Sequence, residues 1–139
     1  MWRKRGAKMD IEVELSRIII NESTDEQIIV LKERQGERSF PIVIGITEIF
    51  AIDRRLKGIV PPRPLTHELL ESVIENMGGK VEKIVINDLR MHTFFARIHI
   101  SLDGKVLEID SRPSDAIALG ASLHVPIFVA QQVFDNLYQ

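Results

Sequence analysis

Asp110-Ser111-Arg112-Pro113-Ser114-Asp115-Ala116-Ile117-Ala118-Leu119-Gly120-Ala121-Ser122-Leu123 is the stretch whose reading decides the fold. It joins the end of a strand, a polar hinge and a nearly wholly apolar helix. Pro113 suits the first turn of a helix, where its missing N–H is one the helix leaves unpaired anyway. Ser114 reads as a cap, and Asp115 places negative charge at the positive end of the helix dipole. The positions that follow are apolar or small on most faces, the mark of a buried helix rather than an amphipathic one. The rest of the chain is expected to pack around it.

Upstream, Ile11, Val13 and Leu15 alternate with Asp10, Glu12 and Glu14, the period-two pattern of a half-buried strand. A second strand runs over Gln27 to Arg34 and a third over Arg38 to Gly45, joined by a short loop at Gln35-Gly36-Glu37. Pro41 has no backbone donor and is expected at a sheet edge or bulge. Thr47 caps a helix that Gly58 closes, with Ile49, Ile52 and Leu56 as its buried stripe. After the stiff Ile59 to Leu65 connection, Thr66 caps a further helix whose apolar face is Leu69, Leu70, Val73, Ile74 and Met77. A fourth and a fifth strand follow, Lys80 to Leu89 and His92 to Leu102. Asp103-Gly104 is the strongest hairpin signal in the chain and leads into a sixth strand, Lys105 to Asp110. Val125 to Val129 reads as a short strand and Gln131 to Tyr138 as a terminal helix.

A shift of 67 positions superposes two parts of the chain. Phe40 falls on Leu107, Ile42 on Ile109, Thr47 on Ser114 and Glu48 on Asp115. Ile49, Phe50, Ala51, Ile52 and Leu56 fall on Ala116, Ile117, Ala118, Leu119 and Leu123. We read two strand-strand-strand-helix units related by an internal repeat and joined by a central helix. In both copies a hydroxyl and an acid open a helix, so Ser114 and Asp115 have a structural explanation. Arg112 has Gly45 as its counterpart, so the repeat does not require it.

The chain has 139 residues, with 18 Lys and Arg against 20 Asp and Glu and no cysteine. That length suits one domain, expected over residues 9–139. Without cysteine there is no disulfide, no zinc–thiolate site and no thiol catalysis. The slightly acidic balance argues against salt-driven nucleic-acid binding through a broad basic face. No apolar run approaches the ~20 residues of a membrane span, so no membrane partner is expected. Residues 1–8 read as a basic, disordered leader ahead of Met9, with a nucleic-acid-binding tail as the alternative. A cytoplasmic location is compatible with all of this.

Several stretches together resemble the bifunctional nuclease family, small domains widespread in bacteria and also found within longer plant proteins. They are Val13-Glu14-Leu15, then Pro41-Ile42-Val43-Ile44-Gly45 leading to Glu48 and Ala51-Ile52, then Arg63-Pro64-Leu65-Thr66-His67-Glu68-Leu69-Leu70. Phe94-Phe95-Ala96 and Asp110 to Leu119 complete the set. The resemblance covers nearly the whole chain from Met9. It implies an α+β fold, self-association into a homo-oligomer, and a nuclease assignment covering RNA and DNA. It carries over no settled catalytic residues.

Phosphodiester hydrolysis needs an activated water and stabilised charge on the phosphorane, which carboxylate-bound magnesium or manganese commonly provides. Glu108 and Asp110 are two apart on a strand and Asp115 opens the next helix. These three are the expected metal ligands, and a solvated strand edge plus a helix cap is the plain alternative. His67, one residue inside a helix, is placed to act as general base or to bind phosphate through its backbone. Arg63 and Arg112 are candidate phosphate clamps, or partners of nearby carboxylates. The expected catalytic set is therefore His67, Asp110 and Asp115. His92 and His99 read as surface residues, and His124 as a partner of helix C-terminal carbonyls. Gly-rich phosphate loops, Gly-x-Ser-x-Gly elbows and His-Glu-x-x-His pairs are absent. Two functions stand at this point: a divalent-metal nuclease, and a non-catalytic homo-oligomeric module binding a small ligand, nucleotide or protein. Both require the Arg63–Leu70 and Asp110–Asp115 segments to meet.

Overall fold

Three strands followed by a helix occur twice along the chain. The first set is β1 (Asp10–Ile19), β2 (Gln27–Glu33), β3 (Ser39–Ile44) and α1 (Ile46–Leu56). After α2 (Thr66–Asn76) come β4 (Lys80–Arg90), β5 (Thr93–Leu102), β6 (Lys105–Ser111) and α3 (Pro113–Leu123). The chain then forms β7 (Ile127–Ala130) and α4 (Gln131–Leu137). These elements are those of a computed structural model that describes residues 9–138. The leader expected over residues 1–8 lies outside the described residues.

The architecture is α+β, with a single mixed sheet in the order β3-β2-β1-β7-β4-β5-β6. The short β7 joins the two antiparallel meanders. It runs antiparallel to β1, with Val13 opposite Ile127, and parallel to β4, with Ile84 opposite Ile127. The sheet curls on itself: Phe40 of β3 stacks on Phe94 of β5 with ring centroids 5.3 Å apart, although four strands separate β3 from β5 in the sheet order. Phe134 of α4 meets Phe40 edge-on at 5.4 Å and closes the core at that end. Pro41 lies on β3, an edge strand, where its missing donor leaves no ladder bond unmade.

The concave face encloses α3. Ala116, Ile117, Ala118 and Leu119 are buried, and a Cβ built on Gly120 would lie 3.0 Å from Val125 Cγ2 and 3.2 Å from Ile84 Cγ1. The helix is therefore seated against both the sheet and the loop that follows it. α1 lies alongside with Ile49, Ala51 and Ile52 buried, whereas Leu56, expected in that stripe, is exposed. Its place at the base of α1 is taken by Arg55, a buried cation.

The helix starts correct the sequence reading. The N-caps are Gly45, Leu65 and Arg112 rather than Thr47, Thr66 and Ser114. Extended backbone at each cap begins the helix earlier, and Pro113 occupies the first turn of α3 as its chemistry allows. At α2 the Glu68 carboxylate reaches back to accept the Leu65 N–H at 3.0 Å, half of a capping box without its hydroxyl. The larger correction concerns the apolar face of α2. No residue of α2 is fully buried; Leu69, Leu70, Val73 and, just beyond it, Met77 are exposed.

Two tight turns make the β4–β5 and β5–β6 hairpins. Asp103-Gly104 has φ of 53° and 77°, positive at both central positions as a type I′ turn requires. Met91 and His92 do the same with φ of 48° and 66°, although Met is disfavoured in that region and neither residue is the Asn or Gly that this turn prefers. The double substitution Met91→Asn/His92→Gly is expected to raise stability by about 1–2 kcal/mol. A urea midpoint that stays or falls would show that the tip side chains make contacts worth more than the strain.

Candidate active site

Three helices begin near one another. Glu48 lies in the first turn of α1, His67 in that of α2 and Asp115 in that of α3. The strand-to-helix hinge Ser111-Arg112-Pro113 sends the Arg112 side chain across them. Arg112 holds Asp115 in a fork, Nε to Oδ2 at 2.9 Å and Nη2 to Oδ1 at 3.1 Å. Its Nη1 reaches Glu48 Oε2 at 3.3 Å. His67 Nε2 lies 2.9 Å from Asp115 Oδ1. The two segments, 48 residues apart in sequence, thus meet through one carboxylate.

An ionised carboxylate only accepts, so a neutral His67 must carry its proton on Nε2. That leaves Nδ1 as the ring nitrogen able to take a proton. A carboxylate that fixes the tautomer and orientation of an imidazole is the arrangement of a general base with its orienting partner. The His67 side chain is only 12% exposed, so much of its mobility is already removed.

Burial alone would raise the Asp115 carboxyl, but hydrogen bonds from Arg112 and His67 outweigh it and hold the group below its ordinary value of 3.8. Arg112 is held charged chiefly by its hydrogen bonds to the same carboxylate. A carboxyl depressed by folding adds stability at pH above its unfolded value and loses it as pH falls through its folded one. The stability gap between wild type and Asp115→Asn is therefore expected to be full at neutral pH and to narrow below about pH 4. Thermal melts of both proteins from pH 7 to 2 check this; a gap independent of pH would contradict it.

The cluster opens on a cleft of about 590 Å³ between α2 and the β5–β6 end of the sheet. Leu70, Ile74, Ile98, Ile100 and Ile109 form its apolar wall, and His67, Asp110, Arg112 and Asp115 its polar end. A second hollow of about 500 Å³ lies beyond Arg112, lined by Asp25, Glu26, the β3 edge, His92 and Ser114. Arg112 thus borders both.

Of the residues singled out in the sequence, His67, Arg112 and Asp115 are in direct contact and Asp110 stands at the lip of the same cleft. Arg63 is exposed on the loop before α2 and makes no hydrogen bond or ion pair among the described residues. Glu108 does not join them. Ile98 and Ile109 face the helices, so the intervening Glu108 points to the other side of the sheet, where it accepts from Arg97 Nη1 at 3.0 Å. The expected set Glu108, Asp110 and Asp115 is therefore divided by the sheet. Both oxygens of Asp115 already accept hydrogen bonds, and no group of three His, Asp or Glu side chains among the described residues is arranged around a common cation position. These donors do not fit magnesium or manganese. Glu48 was missed as a site residue, although the shift of 67 positions places it on Asp115.

Beneath the cluster, Arg55 ties the three helices together. It donates to the carbonyls of Ala118 (2.6 Å) and Leu119 (3.3 Å) of α3, to Ser122 Oγ (2.6 Å), and to Glu68 (2.9 Å) and Glu71 of α2. Its side chain is 3% exposed. Glu68 is desolvated, but its bonds from Arg55 and from the Leu65 N–H keep it below the ordinary carboxylate value.

The family model described as the bifunctional nuclease domain matches residues 29–138. An uncharacterized protein of Mycobacterium tuberculosis is 34% identical over 122 residues, covering 88% of this chain and 73% of that protein. Bifunctional nuclease 1 of Oryza sativa subsp. indica is 26% identical over 121 residues, 84% of this chain but 37% of the rice protein. Bifunctional nuclease 2 of Oryza sativa subsp. japonica is 28% identical over 114 residues, 79% of this chain and 35% of that protein. Among the described residues no helix is long and apolar enough to cross a membrane.

Proposed function

Because the chain belongs to the bifunctional nuclease domain family, we propose that it cleaves phosphodiester bonds of RNA and DNA at the cleft between α2 and β6. The observation that carries this reading is the 2.9 Å contact between His67 Nε2 and an Asp115 carboxylate itself held by Arg112. His67 takes a proton at Nδ1 from the attacking hydroxyl or water as its oxygen bonds to phosphorus, the P–O bond to the departing ester oxygen breaks, and that oxygen takes a proton from solvent. Asp115 stabilises the imidazolium that results. Arg112, with Arg63 from the neighbouring loop, neutralises charge on the phosphorane oxygens. The first turns of α1, α2 and α3 add the positive ends of three helix dipoles. No step is derived through a metal, since the donors here do not fit one.

One observation favours the second reading, a non-catalytic homo-oligomeric module. Within the cluster Arg112 is balanced by two carboxylates, Asp115 and Glu48, which leaves little net positive charge for a phosphate. The two readings separate in one assay. Purified protein is given single- and double-stranded RNA and DNA with magnesium, manganese or chelator, beside His67→Ala. Cleavage by wild type that fails in the variant supports the nuclease. Equal cleavage by both marks a contaminant, and that result, or no cleavage at all, overturns the nuclease in favour of the binding module.

A further inference from the structure

We propose that the hollow of about 500 Å³ beyond Arg112 is a base subsite selective for guanine, with Glu26 and His92 reading the base and Arg112 holding its phosphate. The two hollows that Arg112 borders differ in chemistry. The cleft between α2 and β6 has an aliphatic wall, which packs against any base without reading its edge. The hollow beyond Arg112 instead presents two carboxylates, an imidazole and an aromatic ring, from Asp25, Glu26, His92 and Phe94. Its size lies within the range of small-ligand sites.

This lining selects its occupant. Anionic walls exclude a phosphate from the hollow itself and favour a group rich in N–H donors, since an ionised carboxylate only accepts. Phe94 is stacked on Phe40 at 5.3 Å and only partly buried, so it offers a fixed aromatic surface to a planar ligand. The carboxylate of Glu26 and the imidazole of His92 make no hydrogen bond or ion pair among the described residues, and both residues are exposed. Asp25, by contrast, already accepts from the Ile46 N–H at 3.4 Å.

Among the bases guanine alone carries two adjacent donors on its Watson–Crick edge, N1–H and N2–H. They match the two oxygens of one carboxylate, and the neighbouring O6 accepts from an imidazole N–H. Adenine and cytosine place an acceptor beside a single amino group, while uracil and thymine place one N–H between two carbonyls. Each of these turns a lone pair toward the anion. A duplex occupies the same edge, so the subsite reads unpaired guanine.

Arg112 serves the phosphate of the same nucleotide. Three of its five N–H groups are taken by Asp115 and Glu48, and two remain. Its bond to Glu48, at 3.3 Å, is the longest of the three and the first to yield. Guanine in the hollow therefore sets its phosphate at the boundary with the cleft that holds His67. This position beside the cut phosphate rests on the nuclease reading; the selectivity for guanine does not.

Amide NMR of the full chain, titrated with the monophosphates of the four ribonucleosides, tests the subsite. Guanosine monophosphate is expected to bind on the order of ten- to a hundred-fold more tightly than the other three. It should shift the amides of Glu26, Thr93 and Phe94, and Glu26→Gln should remove the preference. Equal binding of all four, binding of none, or a guanine preference that survives Glu26→Gln overturns the proposal. An RNA with one guanine in a run of uridines supplies the second arm, with cleavage expected beside the guanine. Selective binding by a protein that cuts no RNA overturns the nuclease reading and leaves a guanine-nucleotide site standing. Selective binding with cleavage spread evenly along the strand overturns the placement beside the cut phosphate. Even cleavage with all four monophosphates bound alike overturns the subsite and leaves the nuclease reading standing.

Discussion

Arg55→Ala is expected to lower stability by about 3–5 kcal/mol and to free α2 from the body of the domain. The magnitude follows from what the substitution leaves behind. Glu68 and Glu71 sit partly buried with side chains 20% and 25% exposed, and Arg55 is the cation bonded to each. Removing one partner of such a pair strands the other charges, a larger effect than the net worth of the pair. Helix α2 has little else to hold it: none of its side chains is fully buried, and its other ties include Ile74, partly buried against the core, and the His67–Asp115 contact. Loss of protection in hydrogen exchange should therefore appear first in α2, ahead of β4 and β5. The contrast is Arg55→Met combined with Glu68→Gln and Glu71→Gln, which removes all three charges together. It should recover part of the loss, because no unpaired ion remains. If Arg55→Ala melts with the wild type, or if α2 keeps its protection, the charged clip is not what holds the helix.

That clip was not legible in the sequence, and the reason is physical. In the sequence Arg55 is one of three basic residues, with Arg54 and Lys57, near the end of α1, and a cation is buried only where carboxylates from elsewhere meet it. The carboxylates come from α2, and nothing local to Arg55 announces them. Periodicity did identify α2 as amphipathic. It cannot say what covers an apolar face, and here the rest of the domain leaves most of it open. Features that depend on a few neighbouring residues were legible: the buried α3, Pro41 at an edge, and the Asp103-Gly104 turn. The Met91-His92 turn was not, because Met-His lacks the Asn-Gly or Asp-Gly signature that announces such a turn. In the site, the polar residues at two helix starts pointed to His67, Arg112 and Asp115, and the structure brings them into contact. Glu108 was misplaced for an avoidable reason. Leu107 and Ile109 are the apolar side of β6, so Glu108 belongs to the opposite side from the helices.

His67→Ala is expected to reduce kcat/KM for RNA cleavage by about 10²–10⁴-fold, the usual contribution of a positioned acid or base. In free-energy terms that is about 3–5 kcal/mol of transition-state stabilisation. Asp115→Asn should move in the same direction by less, since the amide oxygen can still accept from Nε2–H but no longer carries the charge that stabilises an imidazolium. The pair also separates catalysis from packing. His67 makes one hydrogen bond, so its removal should cost little stability, whereas Asp115→Asn disturbs the Arg112 fork and should be the less stable of the two. A purely structural role for the contact predicts the reverse: activity, if any, would follow the melting temperature rather than the imidazole. Added imidazole sharpens the distinction, because it can enter the space left in His67→Ala and act as the missing base, while it can do nothing for a lost helix contact. Recovery of cleavage with imidazole in His67→Ala, and none in Asp115→Asn, is the pattern required by an imidazole that moves protons. Equal rates in wild type and both variants would leave the His67–Asp115 contact as a joint between two helices.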